Sequence, residues 1–460
     1  MTNTASGTPS GTTSGTARSL SGHPIPRRPI PKRRWAIGAL LGIGVLVAYF
    51  DRVNLSVSGP ELQQEFNLDP GKMGLLLSAF FWPYAFLQIP VGLFLDRYGV
   101  RLVGRIGAFL WTVASTIIAF TSGYGALFAA RGLLGVAEAP SFPASSKATG
   151  YWFPRQERAL ATAIFDAAAK FSNVIGVPLV AVVVTNFGWR WGFGATAILS
   201  GLYFILFYVF YRDPSQDAGL SREEYDYIKE GGATPEGPSE AGIAGMFGYL
   251  IANRKVWGLT IGFAAYGYSF YLFLTWLPGY LVQTMHMSIL KSAGFAAIPW
   301  ICATIADLVV GGWLVDHLVK KGHDDTVVRK TILVGGMLLG LFVFGATMTT
   351  DPRWAITWIS IALSGLAAAA PIGWSIPSLI APQGGTGTIG GIMNFVNNGM
   401  GILAPIVTGY IVGATQSFTN AFLVAGGVLV LGIISYIFIL GRIEPIPAPD
   451  LDGHASTGGQ

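Results

Sequence analysis

The sequence predicts an all-α integral membrane protein with twelve transmembrane helices in two six-helix bundles. Three observations lead there. Of 460 residues, 52% are hydrophobic and only 12% charged, about half the charge of an ordinary soluble domain. The apolar residues gather into successive runs long enough to cross a hydrocarbon core of ~30 Å, which takes ~20 residues per helix. One loop sequence also recurs at matching places in the two halves of the chain.

In chain order, residues 1–34 are rich in Ser, Thr, Gly and Pro, poor in large apolar side chains, and are expected to form a disordered cytoplasmic tail. The basic run Arg27, Arg28, Lys32, Arg33 and Arg34 leads into an apolar segment lacking a small-residue cleavage site, so a retained first span is expected rather than a signal peptide. Spans are expected at 35–58, 72–95, 102–121, 125–149, 159–184 and 190–211, the N-terminal bundle (35–211). A second set at 256–283, 289–315, 330–350, 354–380, 387–413 and 418–441 makes the C-terminal bundle (256–441). Between them lies a charged cytoplasmic linker, 212–255, and after them a cytoplasmic tail, 442–460. Within the linker, Ser221 followed three residues on by Glu224 has the form of a capping box and predicts a short surface helix over about 221–230.

An even number of spans puts both termini on one side. Lys and Arg are concentrated in the segments on that side, with Lys72, Arg190, Lys291 and Arg353 on the other, which orients the termini toward the cytoplasm of a cell (inner) membrane. The net charge of +5 follows from this topology and calls for no nucleic acid. Cys302 is the lone cysteine and the five histidines fall in loops, tails or span ends, so neither a disulfide framework nor a metal site is expected. There is no Gly-x-x-x-x-Gly-Lys-Ser/Thr phosphate loop, and enzymatic or ATP-driven readings lack their parts.

After the second span the chain reads Gly92-Leu-Phe-Leu-Asp96-Arg97-Tyr-Gly99-Val-Arg101, and after the eighth Gly312-Trp-Leu-Val-Asp316-His-Leu-Val-Lys320-Lys321-Gly322. Such a repeat is expected when two bundles are related by an axis normal to the membrane. Asp96, Arg97, Arg101 and Asp316 are therefore candidate gating residues at the cytoplasmic edge, acting as a network because single surface pairs are weak.

Eight ionisable side chains lie deep inside the apolar runs: Asp51, Arg52, Arg131, Glu138, Lys147, Asp166, Lys170 and Asp307. Each costs several kcal/mol there unless it is paired or lines a wet cavity. Seven belong to the N-terminal bundle. Asp51 and Glu138 are the candidate proton-coupling acids, since burial and a nearby guanidinium act in opposite senses on a carboxyl and together can poise it to take and release a proton. The plainer alternative is that each acid neutralises a buried arginine. Arg52 follows Asp51 directly, so the two side chains diverge by ~100° and make a poor pair, leaving Arg52 to face the cavity. Its planar fork suits a carboxylate. Arg131, seven residues before Glu138, is read as a charge partner for one of the acids. Asp166 and Lys170 stand four apart in the favoured acid-then-base order. Either they pair along one helix face, or Lys170 faces the cavity as a second anion ligand, suiting a substrate with two anionic groups. Asp307 is a candidate latch or pair partner.

The motifs Tyr49-Phe-Asp51-Arg52-Val-Asn54, Trp82-x-Tyr84-x-x-x-Gln88-Ile-Pro90-x-Gly92, Arg131-x-x-x-Gly135-x-x-Glu138-Ala-Pro140, Trp152-Phe-Pro154-x-x-Glu157-Arg158, Gly188-Trp-Arg190 and Gly401-Ile-Leu-Ala-Pro405 follow one another along the chain. Together with the repeated loop they resemble the major facilitator superfamily and, within it, the anion:cation symporter group. The resemblance covers roughly residues 35–440. It implies a proton-coupled importer of organic anions, similar to the carriers of galactonate, glucarate, hexuronates and phthalates, working by alternating access. It further implies Arg52 as the carboxylate ligand with Tyr49 and Tyr84 as hydroxyl donors, and Asp51 with Glu138 as the proton carriers. Trp374, Ser375 and Asn394 complete the expected substrate cavity from the C-terminal half. Asn394 would read hydroxyls and Trp374 would cover a flat face. No cofactor beyond the proton is expected, the partners are a small organic anion, H+ and the lipid bilayer, and the functional unit is expected to be a monomer. The runner-up is a proton-coupled exporter of metabolites or drugs. Against it, the fifth span reads Asn173-Val-Ile-Gly176-Val-Pro178, only partly matching the Gly-Pro-x-x-Gly-Gly stretch of such antiporters.

Overall fold

The computed structural model describes residues 31–154, 157–233, 243–382 and 386–447, apart from a few side chains within them. The expected tail over 1–30 and the end of the C-terminal tail, 448–460, lie outside the described residues. No strand occurs among those described.

The described helices group into twelve successive rods. Span 1 is α1 (Arg33–Glu65). At 33 residues it is ~50 Å long, well beyond a hydrocarbon core. It begins inside the segment read as tail, because the Glu224 carboxylate accepts the backbone N–H groups of Arg33 and Arg34 and so caps its first turn. Asp69 caps α2 (Pro70–Ser78) by accepting from the Lys72 N–H. The rod continues after a step at Ala79 as α3 (Phe81–Ala119), which Gly99 breaks with φ +77°. That left-handed residue, at low cost only for glycine, divides span 2 from span 3. Span 4 is α4 (Tyr124–Glu138) followed by α5 (Ser141–Trp152), offset at Ala139-Pro140. Span 5 is α6 (Arg158–Phe187) and span 6 is α7 (Trp189–Phe210), separated by Gly188 at φ +84°.

In the linker, α8 (Arg222–Glu230) forms where Ser221 accepts the Glu224 N–H. Only half of a capping box is present, since the Glu224 carboxylate turns to α1 instead. A second linker helix, α9 (Ile243–Ile251), was not anticipated from sequence. Span 7 is α10 (Arg254–Gln283). Span 8 runs through α11 (Ile289–Ala306), a π-helical stretch Asp307–Leu314, and α12 (Val315–Lys320). Span 9 is α13 (Asp325–Gly340) tightened into a 3-10 turn over Leu341–Met348. Spans 10, 11 and 12 are α14 (Pro352–Ile380), α15 (Thr386–Thr415) and α16 (Thr419–Ile434). Among the described residues, nine helices are individually long and apolar enough to cross a membrane. The rods at 70–98, 124–152 and 254–283 are not among the nine; the first two are interrupted and the third is rich in Tyr, Gly and Trp.

Within the first half, α1 packs chiefly on α6 and α7, and α3 on α4 and α7; within the second, α10 packs on α15, and α14 on α11 and α13. The halves meet along α2–α15, α6–α11 and α1–α10. The face opposite the termini is shut. There Ser56 Oγ donates to the Thr275 carbonyl at 2.6 Å and Gln283 Nε2 to Gln63 Oε1 at 2.6 Å. At Gly74 and Gly409 the backbones of α2 and α15 come so close that a Cβ on either would sit 2.4 Å from the carbonyl of Pro405 or of Pro70. Exposed apolar side chains such as Ile106, Phe109, Ile198, Leu202 and Ile205 cover spans 3 and 6, as expected for a surface solvated by lipid chains.

Candidate substrate and ion site

Asp51 and Arg52 are neighbours on α1, and the helix sends them to different partners. Asp51, fully buried, turns toward spans 3 and 6. Its Oδ2 accepts from Trp111 Nε1 at 2.6 Å, Ser115 Oγ at 3.0 Å and Ser200 Oγ at 3.2 Å. Its Oδ1 has no hydrogen-bond partner. Arg52 turns toward spans 2 and 4. Its Nη2 and Nε lie 3.2 and 3.4 Å from Glu138 Oε2, and its guanidinium stands 4.6 Å from the ring centroids of Tyr49 and Phe80 and 5.0 Å from that of Tyr84. Expected to face the cavity unpaired, Arg52 is thus held on Glu138 within an aromatic box, where cation–π attraction supplements the ion pair. Glu138 occupies the last position of α4, beside the step at Ala139-Pro140, and its Oε1 is without a partner.

Arg131 lies two turns before Glu138 on the same helix face. It donates from Nη1 to the Asp51 carbonyl at 3.2 Å rather than to a carboxylate, with its Nε unpartnered. The four groups form a buried cluster of two cations and two acids.

A second charged centre lies on span 5. Lys170 Nζ is 2.8 Å from Asp166 Oδ2, as the i,i+4 spacing predicts, and 2.6 Å from Asp307 Oδ2 on span 8. Tyr49 is within electrostatic reach of both Arg52 and Lys170, and Tyr266 of span 7 is within reach of Lys170, Asp166, Asp307 and Tyr49. Tyr49 is thus the phenol that senses both cations, and Tyr266 the one that senses Lys170.

From the C-terminal half, Asn394 Oδ1 accepts from Asn398 Nδ2 at 3.1 Å, and Asn398 Oδ1 accepts from the Tyr271 hydroxyl at 3.1 Å. Tyr271 packs edge-on against Phe81 of span 2 at 4.8 Å, so this chain of amides reaches across to the N-terminal half. Trp374 is 43% exposed and packs edge-on against Phe263 at 5.1 Å. Ser375 accepts from Arg329 Nη1 at 2.8 Å, which ties it to span 9. Of the gating residues, Arg101 Nη1 donates to Gln216 Oε1 of the linker and Arg97 is exposed beside Tyr98. The side chains of Asp96 and Asp316 lie outside the described ones. Sequence reasoning missed Trp111, Ser115, Ser200, Tyr266 and Tyr271. The available signal was polar residues spaced by one turn in apolar spans, such as Trp111 with Ser115. No cluster of His, Cys, Asp and Glu able to hold a metal occurs among the described residues.

Twelve rods in two halves, closed at one face and enclosing a charged, aromatic-lined centre, define a polytopic membrane transporter. The chain belongs to the Major Facilitator Superfamily, whose sequence model matches residues 41–405. It is 44% identical to the uncharacterized transporter YybO of Bacillus subtilis, over 90% of this chain and 95% of that one. It is 31% identical to a D-galactonate transporter of Escherichia coli strain CFT073 (90% and 97%) and 34% identical to the probable galactarate/D-glucarate transporter GudP of Escherichia coli K12 (91% and 96%). The crystal structure of a D-xylose-proton symporter shares the fold, with a TM-score of 0.69 at 17% identity over 90% of this chain and 99% of that one.

Proposed function

We propose that this protein imports a sugar-acid anion together with protons, and that its preferred substrate carries two carboxylates. The carrying observation is the pair of buried cations: Arg52, 4.6 Å from the Tyr49 ring and paired with Glu138, and Lys170 on span 5, paired with Asp166 and Asp307. A guanidinium binds one carboxylate through two parallel hydrogen bonds, an ammonium takes the second as a compact charge, and the phenols and the Asn394–Asn398 chain meet the hydroxyls between. The relatives named for galactarate and D-glucarate, which are dicarboxylates, and for galactonate, a monocarboxylate, span both possibilities.

Protons enter at Asp51 and Glu138. Each has one oxygen in hydrogen bonds and one without a partner, so each offers an oxygen where a proton can reside. A proton on Glu138 releases Arg52 for the substrate carboxylate. The two ligands therefore favour each other's binding, and the coupling is reciprocal. The working unit is a monomer in the cell membrane with both termini in the cytoplasm, and no cofactor is used. Purified protein in proteoliposomes with an alkaline interior and no ATP should accumulate radiolabelled glucarate faster than galactonate, and Lys170→Gln should abolish that preference. Equal glucarate and galactonate uptake by both proteins would discard the dicarboxylate reading; no response to the pH gradient would discard proton coupling.

A further inference from the structure

Lys170 serves two acids that belong to different halves of the molecule. Asp166 lies one turn away on the same helix, whereas Asp307 reaches it from span 8. Among the described residues this is the one ion pair that joins the two halves. It is also deeply placed: the side chains of Lys170 and Asp307 are 6% and 8% exposed, against 33% for Asp166. An ammonium has three donors and can hold two carboxylates at once. The trio nevertheless carries one cation for two acids, so one carboxylate can be replaced without stranding the lysine.

Asp307 sits where the helix changes. It is the first residue of the π-helical stretch Asp307–Leu314, a widened geometry that in helices is often found at functional sites. Within that stretch Gly311 presses on span 10, where a Cβ would fall 2.5 Å from the Pro371 ring and 2.6 Å from the Ala368 carbonyl. Asp307 is thus fixed to the C-terminal half by packing, and Lys170 to the N-terminal half through α6 on α1. Any rocking of one half against the other along α6–α11 must stretch this pair.

We propose that Asp307 is a latch: it holds Lys170 across the bundle interface and slows the parting of spans 5 and 8 in the empty carrier, and the second anionic group of a substrate takes its place, so that loading speeds that step. The proposal rests on the reading of Lys170 as an anion ligand. Exchange of one carboxylate for another keeps Lys170 neutralised throughout, and the displaced Asp307 then faces a like charge that pushes the halves apart. A substrate with a single carboxylate, already engaged by Arg52, has nothing to offer Lys170 and leaves the latch shut. Selection between mono- and dicarboxylates is then exerted on the rate of the conformational step rather than on affinity.

The test places spin labels at Asn186→Cys and Leu290→Cys, exposed positions near the ends of α6 and α11 on the closed face, in a Cys302→Ser background. Distances are measured by double electron–electron resonance in full-length protein. The wild-type pair should give a short distance without ligand and a longer one with glucarate, but not with galactonate. Asp307→Asn should populate the longer distance without any ligand and lower the glucarate-over-galactonate uptake ratio at least 10-fold, by speeding galactonate. Asp166→Asn, which breaks only the within-helix pair, should leave the ligand-free distance short. Asp307→Glu keeps the charge, should retain the short distance, and guards against a folding defect at this position. Identical ligand-free distances in wild type and Asp307→Asn, or equal shifts in Asp166→Asn and Asp307→Asn, would overturn the latch. Should glucarate fail to bind the wild type, the dicarboxylate reading falls, while the ligand-free comparison still decides for or against the latch.

Discussion

Two buried ion clusters share α1, one at its first turn and one ~27 Å further along, and they are built to opposite specifications. At the first turn, Arg34 donates to both oxygens of Glu157 and to Glu224 Oε1. Glu224 also takes two backbone N–H groups and Glu157 the Tyr227 hydroxyl. Every carboxylate oxygen there has a donor. At the centre, Asp51 Oδ1, Glu138 Oε1 and Arg131 Nε have none. A saturated network is rigid and specifies one arrangement; an unsaturated one keeps bonding capacity for something that arrives and leaves. The first cluster fastens the linker helix α8 to the N-terminal half, and the second is where ligand and proton are proposed to meet.

The largest effect that would sharpen this contrast is at the saturated end. Arg34→Ala removes the counter-ion of the fully buried Glu224, which keeps its two backbone N–H donors, and should cost about 3 kcal/mol of stability, read as a lower melting temperature of the purified protein, while the surviving folded fraction keeps its substrate affinity. Next, Arg52→Ala should lower uptake by about 100-fold, the equivalent of the ~3 kcal/mol of charge-assisted hydrogen bonds lost to a carboxylate; near-normal uptake would break the comparison outright. Third, Asp51→Asn and Glu138→Gln should each reduce pH-gradient-driven accumulation by about tenfold or more while leaving solute exchange without a gradient, because the carrier still moves but no longer carries the proton. Intact gradient-driven uptake in both variants would remove them from the coupling scheme.

The smallest effect is a pH dependence at the saturated cluster. Hydrogen bonds from Arg34 and Tyr227 hold the Glu157 carboxyl below the usual carboxylate range. A depressed folded value means the contribution is complete above the unfolded value of ~4.3 and is lost as pH falls through the lower folded value. The melting temperature of the wild type should therefore fall more steeply in acid than that of Glu157→Gln, and parallel curves would show that the pair contributes nothing measurable.

Local spacing made some of this legible. The twelve rods follow from apolar runs, and the Asp166–Lys170 contact from a four-residue interval. What sequence does not carry is the partner across space. Glu224 reads locally as half of a capping box, yet its carboxylate is drawn to the helix start and guanidinium of α1, which are far away along the chain. Arg52 reads as free because its neighbour Asp51 points elsewhere, and only the packing of span 4 brings Glu138 against it. The Lys170–Asp307 pair needs both bundles in place. Periodicity fixes which face a residue occupies, and tertiary packing fixes what that face meets.

The closed face has a property of its own. Where α2 crosses α15, Gly74 and Gly409 let main chain lie against main chain, a seam made of missing atoms. Such a join depends on distance of approach alone, and neither salt nor acidity loosens it directly. A single added methyl group, as in Gly74→Ala, would act as a wedge there, giving a means of propping this transporter toward its other state while every charge at its centre is left untouched.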